Sequence, residues 1–270
     1  MGFLLVTAKV LNSCAEFWIN RRTGVETAVK LARIGNFILS LMAVCMMIVM
    51  LAYGGYSLWD NYMINSGAFL TSDLLKYKPP ENSDAEDNLS LEELMALNPE
   101  TRGWLTIDGT HIDYPVVQGE DDMKYVNTDI YGEFSLSGAI FLSCINSPDF
   151  SDHYNLMYGH HMDNGGMFGD VMEFVETDHF QSHETGTLYL PHKTYGITLF
   201  ACIQADAYDR IIYTPGKECD MQVLLDYLKA ESEQYRDIGV TAEDRIVGMS
   251  TCVDATTNGR MILFGRLEEK

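Results

Sequence analysis

The sequence predicts a mainly β domain of eight short strands, a closed barrel or a sandwich, preceded by one membrane-crossing helix. Three observations predict it. Beyond Arg102, runs of β-branched and aromatic residues are cut by Gly, Asn, Asp and Pro at intervals of about ten residues. One segment, 220–236, repeats at helical spacing instead. Between Arg33 and Asp60 lie 26 residues without a charge.

The chain has 270 residues with 18 Lys and Arg against 39 Asp and Glu, a formal charge of −21. A hydrophobic fraction of 47% excludes a disordered acidic tail. Nucleic-acid binding is excluded as well, because neutralising phosphates needs clustered Lys and Arg. The charge is unevenly placed: residues 1–60 carry five basic and three acidic groups, and the remaining 210 residues carry 13 and 36.

The uncharged stretch includes the apolar run from Phe37 to Tyr56. Because about 20 apolar residues cross the hydrocarbon core as a helix, residues 34–59 read as a transmembrane signal-anchor. A cleaved signal peptide fits less well, since the run is too long and no small-x-small site follows it. Arg21, Arg22, Lys30 and Arg33 precede the span, and no basic residue follows until Lys76. The positive-inside rule therefore leaves residues 1–33 in the cytoplasm and the C-terminal domain outside the cell membrane. Tyr53, Tyr56, Trp59 and Tyr62 form an aromatic belt at the outer end.

Residues 60–89 read as an extracellular linker, because 76–88 are rich in Pro, Asn and acid. The folded domain is expected over 90–270. Ser90 and Glu93 have the spacing of a capping box, with Leu91, Leu94 and Met95 behind them and Pro99 as a stop. Strands follow at 103–107, 111–117, 138–142, 155–158, 187–190, 196–202, 245–249 and 260–264. In the segment 220–236, Met221, Leu224, Leu225 and Leu228 fall on one face of a helix.

Six cysteines form no CxxC pair, which argues against a zinc site. Cys144 and Cys202, inside apolar runs, read as small buried hydrophobes. Cys252 differs, since it ends a strand and is followed by the polar loop 253–259 and then Arg260. If the two late strands pair as a hairpin, Cys252 and Arg260 share one face with Cβ atoms about 5 Å apart. A guanidinium there favours thiolate and can donate to an oxyanion. The other reading is an Arg that caps a hairpin near a structural Cys.

A nucleophilic Cys needs a proton-transfer partner, usually His. Among seven histidines, His160 and His161 sit where the strand ending at Tyr158 gives way to a Gly-containing loop. His179 and His183 have the i, i+4 spacing of metal ligands on a helix, but no third ligand is apparent.

These residues resemble the class B sortases, membrane-anchored transpeptidases of Gram-positive bacteria. Four motifs in order carry the resemblance over residues 90–267: Asn98-Pro99 leading into 103–118, Tyr158-Gly-His-His-Met162 through Phe168, Ser250-Thr251-Cys252, and Asn258-Gly259-Arg260. Two departures stand out. Gly248-Met249 occupies the place of a Thr-Leu pair, and the eight-residue spacing from Cys252 to Arg260 is short for the family.

The resemblance implies an eight-stranded β-barrel with N-terminal helices and a long helix before the penultimate strand. It implies catalysis by His160, Cys252 and Arg260, with Tyr158, Ser250 and Thr251 lining the substrate groove and no metal or organic cofactor. The substrates it implies are secreted proteins with a sorting motif resembling Leu-Pro-x-Thr-Gly or Asn-Pro-x-Thr-x. These are cut at the Thr carbonyl through a thioester and passed to an amine of a peptidoglycan precursor or a pilin Lys. A membrane-tethered cysteine peptidase, resolving the thioester with water, and a non-catalytic motif-binding barrel are the alternative readings.

Overall fold

A computed structural model describes residues 2–68, 72–80, 88–253 and 257–270. The chain divides into two units, Met1–Asp60 and Asn61–Lys270. The first is helical throughout its described residues, within α1 (Gly2–Ala68). The α1 segment Arg21–Tyr62 is long and apolar enough to cross a membrane, and side chains such as Leu39, Leu51 and Tyr53 are exposed.

The second unit is built on β1 (Thr101–Ile107), β2 (Asp113–Val117), β3 (Ile140–Leu142), β4 (Tyr154–Tyr158), β5 (Thr185–Leu190), β6 (Lys193–Asp206), β7 (Gln234–Tyr235), β8 (Arg245–Cys252) and β9 (Gly259–Glu269). The sheet order is β5-β1-β2-β3-β4-β8-β9-β6, and a further pairing of β5 with β6 closes eight strands into a barrel. The two-residue β7 adds to β6 outside that ring. Most neighbours are antiparallel. The β2–β3 and β4–β8 pairs are parallel, which requires the long connections that follow β2 and β4.

Side chains alternate between two apolar environments along each strand, as the period of two dictates. On β8 and β9, Val247, Met249, Met261 and Leu263 fill the barrel interior. Ile246, Ile262 and Phe264 face outward and are covered by Leu224 and Leu228 of α5 (Met221–Glu231). On the opposite flank Trp104, Phe141 and Tyr189 are covered by Leu91 and Leu94 of α3 (Leu89–Leu97). Burial on both faces explains why these strands read as nearly continuous apolar runs.

Several expectations need correction. Residues 76–80 are not a solvated spacer. Tyr77 is buried with Leu74 of the short α2 (Ser72–Leu75), and Lys78 pairs with Asp113 at 2.8 Å. Asp113 also accepts from the Trp104 indole at 2.7 Å, which ties this segment to the barrel wall. Residues 81–87 lie outside the described ones.

The capping box at Ser90 does not form, because α3 starts at Leu89, two residues earlier than a Ser90 cap requires. Asn88 takes the N-cap position and is fixed to the β5–β6 turn, its backbone N–H donating to Pro191 and its side chain to Leu190. Helix α5 keeps its four buried anchors but stops at Glu231 rather than 236, because residues 234–235 pair with β6. Arg236 then donates to the Leu199 and Phe180 carbonyls at 2.7 and 2.8 Å. Cys202 is buried as expected. Cys144 is exposed, since β3 ends at Leu142 and the chain turns there.

Candidate active site

The hairpin that juxtaposes Cys252 and Arg260 is formed. β8 and β9 are antiparallel with Cys252 opposite Arg260, Thr251 opposite Met261 and Ser250 opposite Ile262. Of the intervening polar loop, residues 254–256 lie outside the described ones. The Arg260 guanidinium is steadied from one side, with Nη1 donating to the Gly259 carbonyl at 3.0 Å.

Strand β4 runs parallel beside β8, so that Tyr158 aligns with Ser250, and the Gly159 N–H extends the ladder to the Ser250 carbonyl at 3.1 Å. The next residue, His160, therefore emerges beside the end of β8. The approach is close at Gly159: a Cβ there would lie 2.4 Å from Ile140 Cδ1 and 2.8 Å from Phe168 Cδ2, so both side chains would have to shift. His160 Nε2 lies 2.7 Å from the Val126 carbonyl oxygen. A carbonyl only accepts, so Nε2 carries the proton and Nδ1 of the neutral ring is left with a lone pair.

All six sequence-predicted residues, Tyr158, His160, Ser250, Thr251, Cys252 and Arg260, line one cleft of about 440 Å³. His161 does not line it and lies 3.4 Å from Asp163 instead. The cleft also takes in residues that the sequence reading missed. Tyr213 stacks parallel to Tyr158 with ring centroids 6.4 Å apart, and its hydroxyl is 2.9 Å from Ser250 Oγ. Burial pushes the Tyr213 hydroxyl up to about 12, and burial likewise raises Tyr158, so both rings stay neutral. Asp122 lines the mouth, accepting the Cys144 N–H at 2.6 Å and the Ser143 hydroxyl at 3.1 Å. The short Ile211-Ile-Tyr213 run is the sequence signal by which Tyr213 could be found.

Among the described residues no group of three or more His, Cys, Asp or Glu is arranged to hold a metal. Cys144, Cys202, Cys219 and Cys252 are unbridged. His179 of α4 (Thr177–Ser182) and His183 just beyond it stack at 4.0 Å with Phe174 at their edge. Burial and the neighbouring His183 lower the His179 pKa below 6.5, while Glu173 and Asp170 partly oppose them. The folded state then binds a proton at His179 less readily than the unfolded chain does. Stability from this group is complete above about pH 6.5 and is lost as pH falls through its depressed value. His179→Gln should therefore flatten the decline in melting temperature between pH 7 and 5, and an unchanged slope would remove His179 from that transition.

A closed barrel with Cys opposite Arg at a strand end, and His delivered beside them, is a framework for thiol-based acyl transfer. No protein-family model matches the chain. Sortase B of Listeria monocytogenes is 31% identical over 192 residues, spanning 70% of this chain and 78% of that protein. A structure of a Streptococcus pyogenes class B sortase involved in pilus biogenesis aligns with a TM-score of 0.61 and 41% identity, covering 66% of this chain and 97% of that one. A Staphylococcus aureus sortase B–substrate complex aligns at 0.63 with 28% identity, covering 68% and 86%. The chain belongs to the class B sortase family and is a cysteine transpeptidase of cell-wall or pilus anchoring.

Proposed function

We propose that this transpeptidase is membrane-anchored. Residues 1–33 are cytoplasmic, 34–59 span the membrane and the barrel works outside, on secreted proteins bearing a Leu-Pro-x-Thr-Gly-like or Asn-Pro-x-Thr-x-like motif. The anchor holds the enzyme where its substrates emerge and so raises their effective concentration. The Cys252 sulfur attacks the Thr carbonyl as its proton passes to His160, and a guanidinium N–H of Arg260 donates to the oxyanion that forms. The scissile C–N bond breaks as the leaving nitrogen takes a proton from His160, and the Thr carbonyl is left as a thioester on Cys252. An incoming primary amine, losing its proton to His160, attacks that carbonyl and displaces the sulfur, so one amide replaces another without net hydrolysis. The amine is a cell-wall precursor group or a pilin Lys. Tyr158, Ser250 and Thr251 hold the motif.

The observation that carries this is the convergence of Cys252, Arg260 and His160 on a single cleft, with Cys252 and Arg260 directly paired in register. The test is mass spectrometry of the full chain in neutral detergent, incubated with peptides of each motif, with and without an oligoglycine or diaminopimelate amine. An acyl adduct on Cys252 and an amine-dependent ligated product are expected. Cleavage at the same rate without ligation would replace transpeptidation by a peptidase activity, and absence of any adduct would remove these motifs as substrates.

A further inference from the structure

Two groups outside the six site residues bear on the His160 ring. The first is the Val126 carbonyl, 2.7 Å from Nε2 at the end of a single 3-10 turn, Lys124–Val126. The second is Gly138, which adopts φ +59 just before β3. A Cβ at Gly138 would lie 2.4 Å from the Tyr125 carbonyl oxygen and 2.5 Å from that of Val126. These are backbone atoms, which cannot swing aside as a side-chain tip can. The contact is fixed from both sides: Gly138 N donates to Ser135 O at 3.2 Å, and Ala139 N donates to Tyr125 O at 3.1 Å. The carbonyl that receives His160 is thus set by a strand entrance whose close approach only glycine permits.

We propose that Gly138 and the Val126 carbonyl form a positioning device that fixes His160 in its Nε2–H tautomer and makes Nδ1 the nitrogen that exchanges protons in the cleft. This rests on the transpeptidase role of His160 proposed above and assigns its working atom. A buried carboxylate often orients a catalytic imidazole, but here the partner is an uncharged carbonyl. It therefore fixes the tautomer without placing a second charge beside the ring. In the reaction Nδ1 takes the Cys252 thiol proton and passes it to the leaving nitrogen, and in the second half it takes one from the incoming amine and returns it to the departing sulfur. Nε2–H stays bonded to Val126 throughout.

Three measurements test this. In the Cys252→Ala full chain, the 15N spectrum of labelled His160 above its titration should show the one-bond N–H coupling on Nε2. Coupling on Nδ1 would overturn the proposal, and this readout does not depend on activity. Incorporating Nδ1-methylhistidine at 160 should abolish transfer, and retained transfer would show that Nε2 is the working atom. Gly138→Ala should lower kcat about 10-fold or more with little change in KM, as expected when a group that orients a catalytic ring is displaced. It should also move the His160 coupling away from Nε2 alone. If Gly138→Ala leaves both kcat and tautomer unchanged, Gly138 has no positioning role. Should the parent chain transfer no peptide at all, the transpeptidase reading fails while the tautomer assignment stands or falls on its spectrum.

Discussion

Cys252→Ala is expected to eliminate acyl transfer, lowering turnover on the order of 10⁴-fold or more while leaving the barrel folded. Without the sulfur no thioester forms, and what remains is the contribution of binding and oxyanion donors alone. The stability cost is expected within about 0.5 kcal/mol, because the side chain lies half-exposed at the barrel rim rather than in either apolar layer. The comparison is turnover of a fluorescent sorting peptide with an added amine, paired with thermal unfolding of the same preparations. Residual activity near that of the parent would move the nucleophile to another group. Cys144, Cys202 and Cys219 are poor substitutes. Burial raises the thiol pKa to about 12 at Cys202 and about 11 at Cys219, partial desolvation and the neighbouring Asp122 carboxylate raise that of the exposed Cys144, and none of the three lines the cleft.

Much of this was legible in the sequence because it is written in periodicities. The strand pattern gave eight strands in the right places, and the Met221, Leu224, Leu225, Leu228 spacing gave the helix that covers the outer layer. The Cys252 and Arg260 pair was legible because a hairpin converts sequence separation into register. What escaped depends on contacts distant in sequence. Tyr213 meets the cleft through its stacking on Tyr158, 55 positions earlier, and its hydroxyl's contact with Ser250, and Val126 meets His160 across 34 positions. The end of α5 was misjudged because the β6 edge captures Gln234 and Tyr235. The cap of α3 was misjudged because Asn88 is held by Leu190, 102 positions away. Local rules place elements well, but element ends and the partners of a side chain are decided by tertiary neighbours.

Arg260→Lys should cost much of the rate, although it conserves charge. Nη1 of Arg260 is committed to the Gly259 carbonyl at 3.0 Å, with Thr257 O at 3.5 Å. Among the described residues, Nε and Nη2 have no hydrogen-bond partner and remain for an oxyanion on the same planar group. A lysine ammonium is a single point on a flexible stem and cannot hold the backbone and the oxyanion together in that fixed geometry. Loss of one oxyanion donor costs about 10²–10³-fold in kcat. A fall of that size, with KM nearly unchanged, is expected for Arg260→Lys in the peptide-plus-amine assay. The melting temperature should drop only as far as losing the bond to Gly259 O dictates, about 1 kcal/mol or 2–4 °C for a domain of this size. A normal kcat with that same small drop would make Arg260 a clamp on the β8–β9 hairpin and leave the oxyanion to backbone N–H groups at the strand end. The ratio of the kinetic to the thermal effect therefore separates a group that meets the transition state from one that only shapes the loop.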